Sequence, residues 1–162
     1  MGKCCTRKLG GAVGLILWAG SAFADCATDT VQLRTLAGAV VRFSIELADD
    51  DQERELGLMN RTELPSSSAM LFAYPAPKHA WFWMKNTLIP LDMIFADATG
   101  LVTNVHSNAV PLDETPIDGG EGVTYVLEIN GGLAKRMGID RGSVLRADVI
   151  DQNAALWSCQ GD

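Results

Sequence analysis

The amino-acid sequence predicts a mostly β fold of the β-rich α+β kind: a compact barrel-like or folded antiparallel or mixed sheet with two short helices. Three observations predict it. Short runs of aliphatic, aromatic and β-branched residues recur at close spacing, separated by segments rich in Gly, Pro, Asp and Asn. One run, Val40 to Leu47, alternates apolar and polar residues with the period of a half-buried strand. Helical signals are confined to two brief segments, which disfavours a repeating parallel α/β unit.

The elements follow in order. Val31–Leu36 and Val40–Leu47 read as two strands joined at Ala37-Gly38. In the second, Val41, Phe43, Ile45 and Leu47 alternate with Arg42, Ser44 and Glu46. Asp50 can cap a helix over about 51–58, with Glu53 completing a capping box and Gly57 near the end. Met70–Ala73 reads as a strand, Tyr74-Pro75-Ala76-Pro77 as a turn and Ala80–Met84 as a further strand. Leu91–Ala96 is a strand beyond the Lys85–Pro90 connection. Asp97–Gly100 is a turn, and Leu101–Asn108 returns as a strand. Val110–Gly122, rich in acids, prolines and glycines, reads as a solvated, flexible loop. Tyr125–Ile129 is a strand. Asn130 is placed to cap a helix at 132–137 that closes at Gly138, and Val144–Ile150 is the last strand.

Residues 1–24 have the pattern of a secretory signal peptide: Lys3, Arg7 and Lys8, then an apolar stretch from Leu9 to Ala19, then Ala22-Phe23-Ala24 as a cleavage site. The apolar stretch is too short for an ordinary membrane span. Residues 25–162 then form a single domain of a size that buries its own core. The formal charge of the whole chain is −7. Removing three basic residues with the leader leaves ten against twenty acidic ones, or −10. Such a chain is expected to bind no nucleic acid and to make no stable membrane insertion once the leader is gone. Cys26 and Cys159 are the cysteines left, one at each end. In an oxidising compartment they are expected to form a disulfide. The expected location is therefore periplasmic or secreted.

The run from Phe82 to Phe95 is the most informative stretch. It sets Lys85, Asn86 and Asp92 among apolar residues, where unpaired polar groups are costly. Three other blocks accompany it. They are Glu46-Leu47-Ala48 with Glu53-Arg54 and Gly57-Leu58-Met59-Asn60-Arg61; Ala69-Met70-Leu71-Phe72; and Tyr125-Val126-Leu127-Glu128-Ile129 followed by the glycines at 131, 132 and 142. In this order the blocks resemble the domain of unknown function 192 family of bacterial and archaeal proteins, over about residues 43–150. Ala69 stands where the family commonly has glycine, and the acidic loop matches no family pattern. The resemblance implies a small sheet-rich fold with two short helices and assigns no catalytic residue.

The candidate ligand site comprises Arg54, Met59, Arg61, Trp83, Lys85, Asn86, Asp92 and Glu128. Aromatic faces beside a few fixed polar groups suit a sugar or another small polar molecule. Strand pairing across Lys85–Pro90 would bring Lys85 and Asp92 to one end of a hairpin as an ion pair. No G-x-S-x-G or H-E-x-x-H pattern occurs. Met59, Met70, Met84 and Met93 have no tight ligand spacing and read as core filler rather than a copper site. The expectation is a module without catalysis, metal or cofactor that binds a small molecule or an envelope protein. An alternative is an envelope glycan hydrolase with Asp92 and Glu128 as its acid and base. Another is an accessory protein whose motif serves only the fold.

Overall fold

The structure is a computed structural model that describes residues 1–2 and 26–160. The predicted leader, beyond its first two residues, lies outside them. Among the described residues seven strands and two helices follow in the order β1 (Thr30–Arg34), β2 (Val40–Ala48), α1 (Asp51–Leu56), β3 (Ser68–Phe82), β4 (Leu91–Ala96), β5 (Val102–Ala109), β6 (Ile117–Asn130), α2 (Leu133–Met137) and β7 (Val144–Arg146). They form one mixed sheet in the spatial order β5-β4-β6-β3-β2-β1-β7. Only β2 and β3 run parallel. Leu101, just before β5, bridges to Val144 of β7, so the two edges approach and the sheet curls into a half-barrel.

Both faces of the sheet are covered. One packs Val31, Leu33, Phe43, Leu71, Ile94, Leu127, Ile129 and Leu145 against Leu133 and Ala134 of α2. The other packs Met70, Phe72, Met93, Phe95 and Val126 beneath Leu58, Leu64, Met84 and Ile89. All six residues of β4 are buried. This explains its nearly unbroken apolar run, the pattern of a strand with no solvent face. The exposed residues of β2 lie toward its alternating polar side. The two ends of the described domain are joined by the disulfide Cys26–Cys159, with Cα atoms 5.3 Å apart.

The structure corrects five readings. The first concerns Tyr74–Pro77, which is not a turn between strands but the irregular middle of one long strand, β3. Pro75 and Pro77 have no N–H to give the ladder, so pairing with β6 shifts register between Ala73 and Lys78 and the strand bends instead of ending. The second concerns the strands flanking Lys85–Pro90, which do not pair: β6 lies between β3 and β4 and bonds to both. The third is the supposed loop at 110–122, whose latter part is the start of β6. The rest is tied down, with the Leu112 N–H donating to the Thr87 carbonyl (3.1 Å) and the Met84 N–H to the Asp113 carbonyl (2.9 Å). The fourth is Asn130, which does not cap α2; its amide donates to the Leu64 carbonyl at 2.8 Å. The fifth is the last strand, which stops at Arg146.

Gly119 shows how tightly β6 crosses the buried face. A Cβ at this position would lie 2.4 Å from two ring atoms of Phe95, a fully buried side chain. Neither the ring nor the strand can retreat without disturbing the core. Gly119→Ala is expected to cost about 1–3 kcal/mol of stability, read as a lower urea midpoint at unchanged slope. An unchanged midpoint would contradict this packing.

Candidate functional site

Register across the sheet sets Glu46 (β2), Met70 (β3), Glu128 (β6) and Met93 (β4) side by side on one face. At the open end of this row Arg61 grips Glu46 with two hydrogen bonds of 2.5 and 2.6 Å. That contact lowers the Glu46 pKa and raises that of Arg61. Glu128 has no such partner. Its strand neighbours in the row are two thioethers, and it is 5% exposed. No hydrogen bond or ion pair reaches its carboxyl among the described residues. Burial alone pushes its pKa up to about 8, so at neutral pH it is mostly a protonated acid able to donate a hydrogen bond.

A cavity of about 100 Å³ opens above this carboxyl. One wall comes from α1 and the turn that follows it. Asp50 caps α1 by accepting the Glu53 N–H at 2.8 Å, as its capping-box sequence requires. Arg54 is fixed by the Ala73 carbonyl at 2.8 Å, the Asp51 carboxylate at 2.6 Å and the Asp49 carbonyl. The chain then turns at Gly57 (φ 47°, ψ −137°), where a Cβ would come 3.2 Å from the Phe72 ring. Glycine allows this close approach and brings Leu58 and Met59 over the cavity. The remaining wall is aromatic: Phe72, Tyr74, Trp81, Phe82 and Trp83. Phe82 packs edge-on against Phe72 and Phe95, with centroids 5.4 and 5.7 Å apart. Trp81 and Trp83 remain 56% and 47% exposed at the mouth. An open trough of about 500 Å³ adjoins the cavity. It shares Arg54, Glu55 and Tyr74 with it and continues along Pro75 to Lys78.

Four of the eight residues singled out from the sequence line this cavity: Arg54, Met59, Trp83 and Glu128. Asn86 supports it from behind. With φ at 54°, it accepts the Asn60 N–H on its carbonyl at 2.8 Å, and its amide lies 3.9 Å from the Met59 sulfur. Lys85 rests its ammonium 5.0 Å over the Trp83 ring. Arg61 is engaged by Glu46. Asp92 is elsewhere. It pairs across the ladder with Ile129, whereas its neighbour Met93 pairs with Glu128, so the two acids point to opposite faces. Asp92 is fully buried and accepts three backbone N–H groups, from Asn108 and Gly132 at 2.8 Å and from Ala134 at 2.7 Å. It thus takes the capping role assigned to Asn130. Neither a Lys85–Asp92 ion pair nor an Asp92–Glu128 acid–base pair forms across one cleft. The aromatic walls that sequence reasoning left out of the site, Phe72, Tyr74, Trp81 and Phe82, all belong to β3, whose bend is hidden by its prolines.

A second polar cluster lies near the mouth. His79 stacks on Trp81, with centroids 4.8 Å apart, and its ring nitrogens meet Asp118 and Glu121 at 2.8 Å each. The hydrogen bond with Asp118 is the largest of the influences that raise the His79 pKa. The clip joins the bent part of β3 to the start of β6. Its contribution to stability is present below the ordinary histidine pKa and is lost as pH rises through the raised one. NMR titration is expected to place His79 above its ordinary value, and Asp118→Asn to bring it down. Identical midpoints in both proteins would contradict the clip.

Among the described residues no group of three His, Cys, Asp or Glu side chains is placed to hold a metal ion, and no helix is long and apolar enough to cross a membrane. Comparison with curated proteins found no match. Two solved structures are similar. One is a protein of Sinorhizobium meliloti 1021 described as a candidate transcription regulator, 41% identical with a TM-score of 0.71, covering 75% of this chain and 94% of that one. The other is a protein of unknown function from Novosphingobium aromaticivorans DSM 12444, 45% identical with a TM-score of 0.69, covering 72% of this chain and 82% of that one. The family model for DUF192, described as "Uncharacterized ACR", matches residues 33–147, which span the sheet from β1 to β7 and contain Glu128 and every residue that walls its cavity. On that match the chain belongs to the domain of unknown function 192 family.

Proposed function

We propose that this protein is an exported, non-catalytic binding module of the cell envelope, and that the cavity above Glu128 is its ligand site. The observation that carries this reading is Glu128 itself. A carboxyl set between Met70 and Met93 without a partner lowers stability. It is tolerable where a bound molecule supplies the missing contact, and aromatic walls with a few fixed polar groups are the usual form of a small-molecule pocket. The placement of Asp92 on the other face counts against glycan hydrolysis by Asp92 and Glu128, since these two acids do not share one cleft. The Cys26–Cys159 disulfide supports export to an oxidising compartment. The partner would be a small molecule, or an envelope protein presenting a small group. The formal charge of −7 favours neither nucleic acid nor an anionic membrane surface, whatever role the Sinorhizobium meliloti protein has.

A native mass spectrum of the protein, gently isolated from the envelope fraction of its own cells, tests this. The expected result is an adduct on the wild type that is lost from Trp83→Ala and from Glu128→Ala. An adduct that persists on both variants would overturn the site assignment.

A further inference from the structure

We propose that the group received at Glu128 is an organic ammonium, carried at the end of a slender molecule whose body lies in the adjoining trough. This rests on the ligand-site reading above and deepens it.

Shape is the first support. The cavity, about 100 Å³, admits only a terminal group, while the trough of about 500 Å³ that shares Arg54, Glu55 and Tyr74 with it holds more. Charge is the second. Glu128 lacks a counter-charge, and the positive groups nearby are already engaged. Arg54 is spent on Asp51 and two carbonyls, and Lys85 lies over Trp83. A ligand cation that reaches the floor would therefore meet an uncompensated acid in a site of low dielectric. The third support is the rings at the mouth. The chain's own cations already sit over two of them: Lys85 over Trp83 at 5.0 Å, and Lys78 and Arg54 over Tyr74 at 4.5 and 5.4 Å. These faces attract positive charge, and Trp81 and Trp83 remain exposed to offer it a path inward.

The proton balance is simple. The ligand arrives as an ammonium, Glu128 gives its proton to solvent, and the carboxylate pairs with the cation. One proton is released for each cation bound wherever Glu128 starts neutral. Affinity for the cation then rises with pH between the Glu128 midpoint of the bound protein and that of the free one, by about tenfold for each unit that separates them, and levels off above about pH 8. A ligand that instead accepts a hydrogen bond from neutral Glu128 binds with the opposite pH dependence. The other titratable groups that line the cavity are Arg54 and Glu55 of α1 and Tyr74 of β3. The Tyr74 pKa is raised, chiefly by burial, so it stays neutral over this range.

The test uses two probes of similar size, n-butylammonium chloride and neutral butyramide, added to the disulfide-intact protein. The readouts are the Glu128 carboxyl ¹³C shift and the Trp81 and Trp83 indole N–H signals, followed against pH. The expected result is that butylammonium lowers the Glu128 midpoint by about one unit or more, equivalent to a tenfold preference for the ionised acid. Butyramide would not lower it, and Glu128→Gln would weaken butylammonium binding at least tenfold. If butyramide binds and raises the midpoint while butylammonium leaves it in place, the cavity is a ligand site but the ammonium assignment is wrong. Unweakened butylammonium binding by Glu128→Gln would also overturn the assignment. If neither probe moves Glu128 or either indole, both the assignment and the site reading fall.

Discussion

Glu128→Gln is expected to make the protein more stable at alkaline pH while weakening ligand binding at least tenfold. The amide keeps the size of the side chain and removes the need to ionise. In the wild type the Glu128 pKa rises from an ordinary 4.5 to about 8 on folding. Between those values the unfolded chain releases a proton that the folded chain retains, so stability falls as pH rises. The slope is about 1.4 kcal/mol per pH unit. Over the whole window the loss is on the order of 4–5 kcal/mol, complete once pH has passed about 8. Urea unfolding at a series of pH values should show this decline in the wild type and its absence, from this group, in Glu128→Gln. Parallel profiles would mean that Glu128 ionises freely in the folded protein. A residue whose replacement stabilises the fold is held for some other reason, and ligand binding supplies one.

Asp92→Ala is expected to destabilise the protein by roughly 3–5 kcal/mol. Its carboxylate accepts N–H groups from Asn108, Gly132 and Ala134, fastening the end of β5 and the start of α2 to β4. The α2 helix has five residues and no side-chain cap of its own, so it cannot persist by local propensity. Removing the carboxylate leaves three buried or half-buried amides without an acceptor. Asp92→Asn should cost less, because one oxygen can still accept, but its NH₂ group faces an N–H. The same urea series measures both. An Asp92→Ala change within about 0.5 kcal/mol of wild type would contradict the capping role. Since Asp92 faces away from Glu128, Asp92→Asn should keep its ligand affinity wherever it remains folded.

Local patterns in the sequence carried much of the fold. Alternation marked β2, an unbroken apolar run marked β4, and Asp50 with Glu53 marked the start of α1. What escaped was non-local. Nothing between Phe82 and Leu91 indicates that a strand thirty residues later will come between β3 and β4. The cap on α2 comes from Asp92, far back in the chain, so the local candidate Asn130 was the natural reading and the wrong one. Pro75 and Pro77 suggested a turn because proline usually ends a strand, yet here they only bend one. The site was legible in the same measure. Glu128 stands out as an acid within an apolar strand, and Arg54, Met59 and Trp83 join it. Lys85 and Asn86 belong to the shell that holds those walls, Arg61 is paired with Glu46 outside the cavity, and Asp92 belongs to the opposite face.

The proposed site stands on Glu128 as a neutral acid without a protein partner at the floor of the cavity. The most direct test is a ¹³C NMR titration of its carboxyl carbon in the free protein, assigned by loss of the signal in Glu128→Gln. The expected midpoint is about 8. A midpoint near the ordinary 4.5 would show a solvated or paired carboxylate and would rule out a neutral Glu128 at the cavity floor.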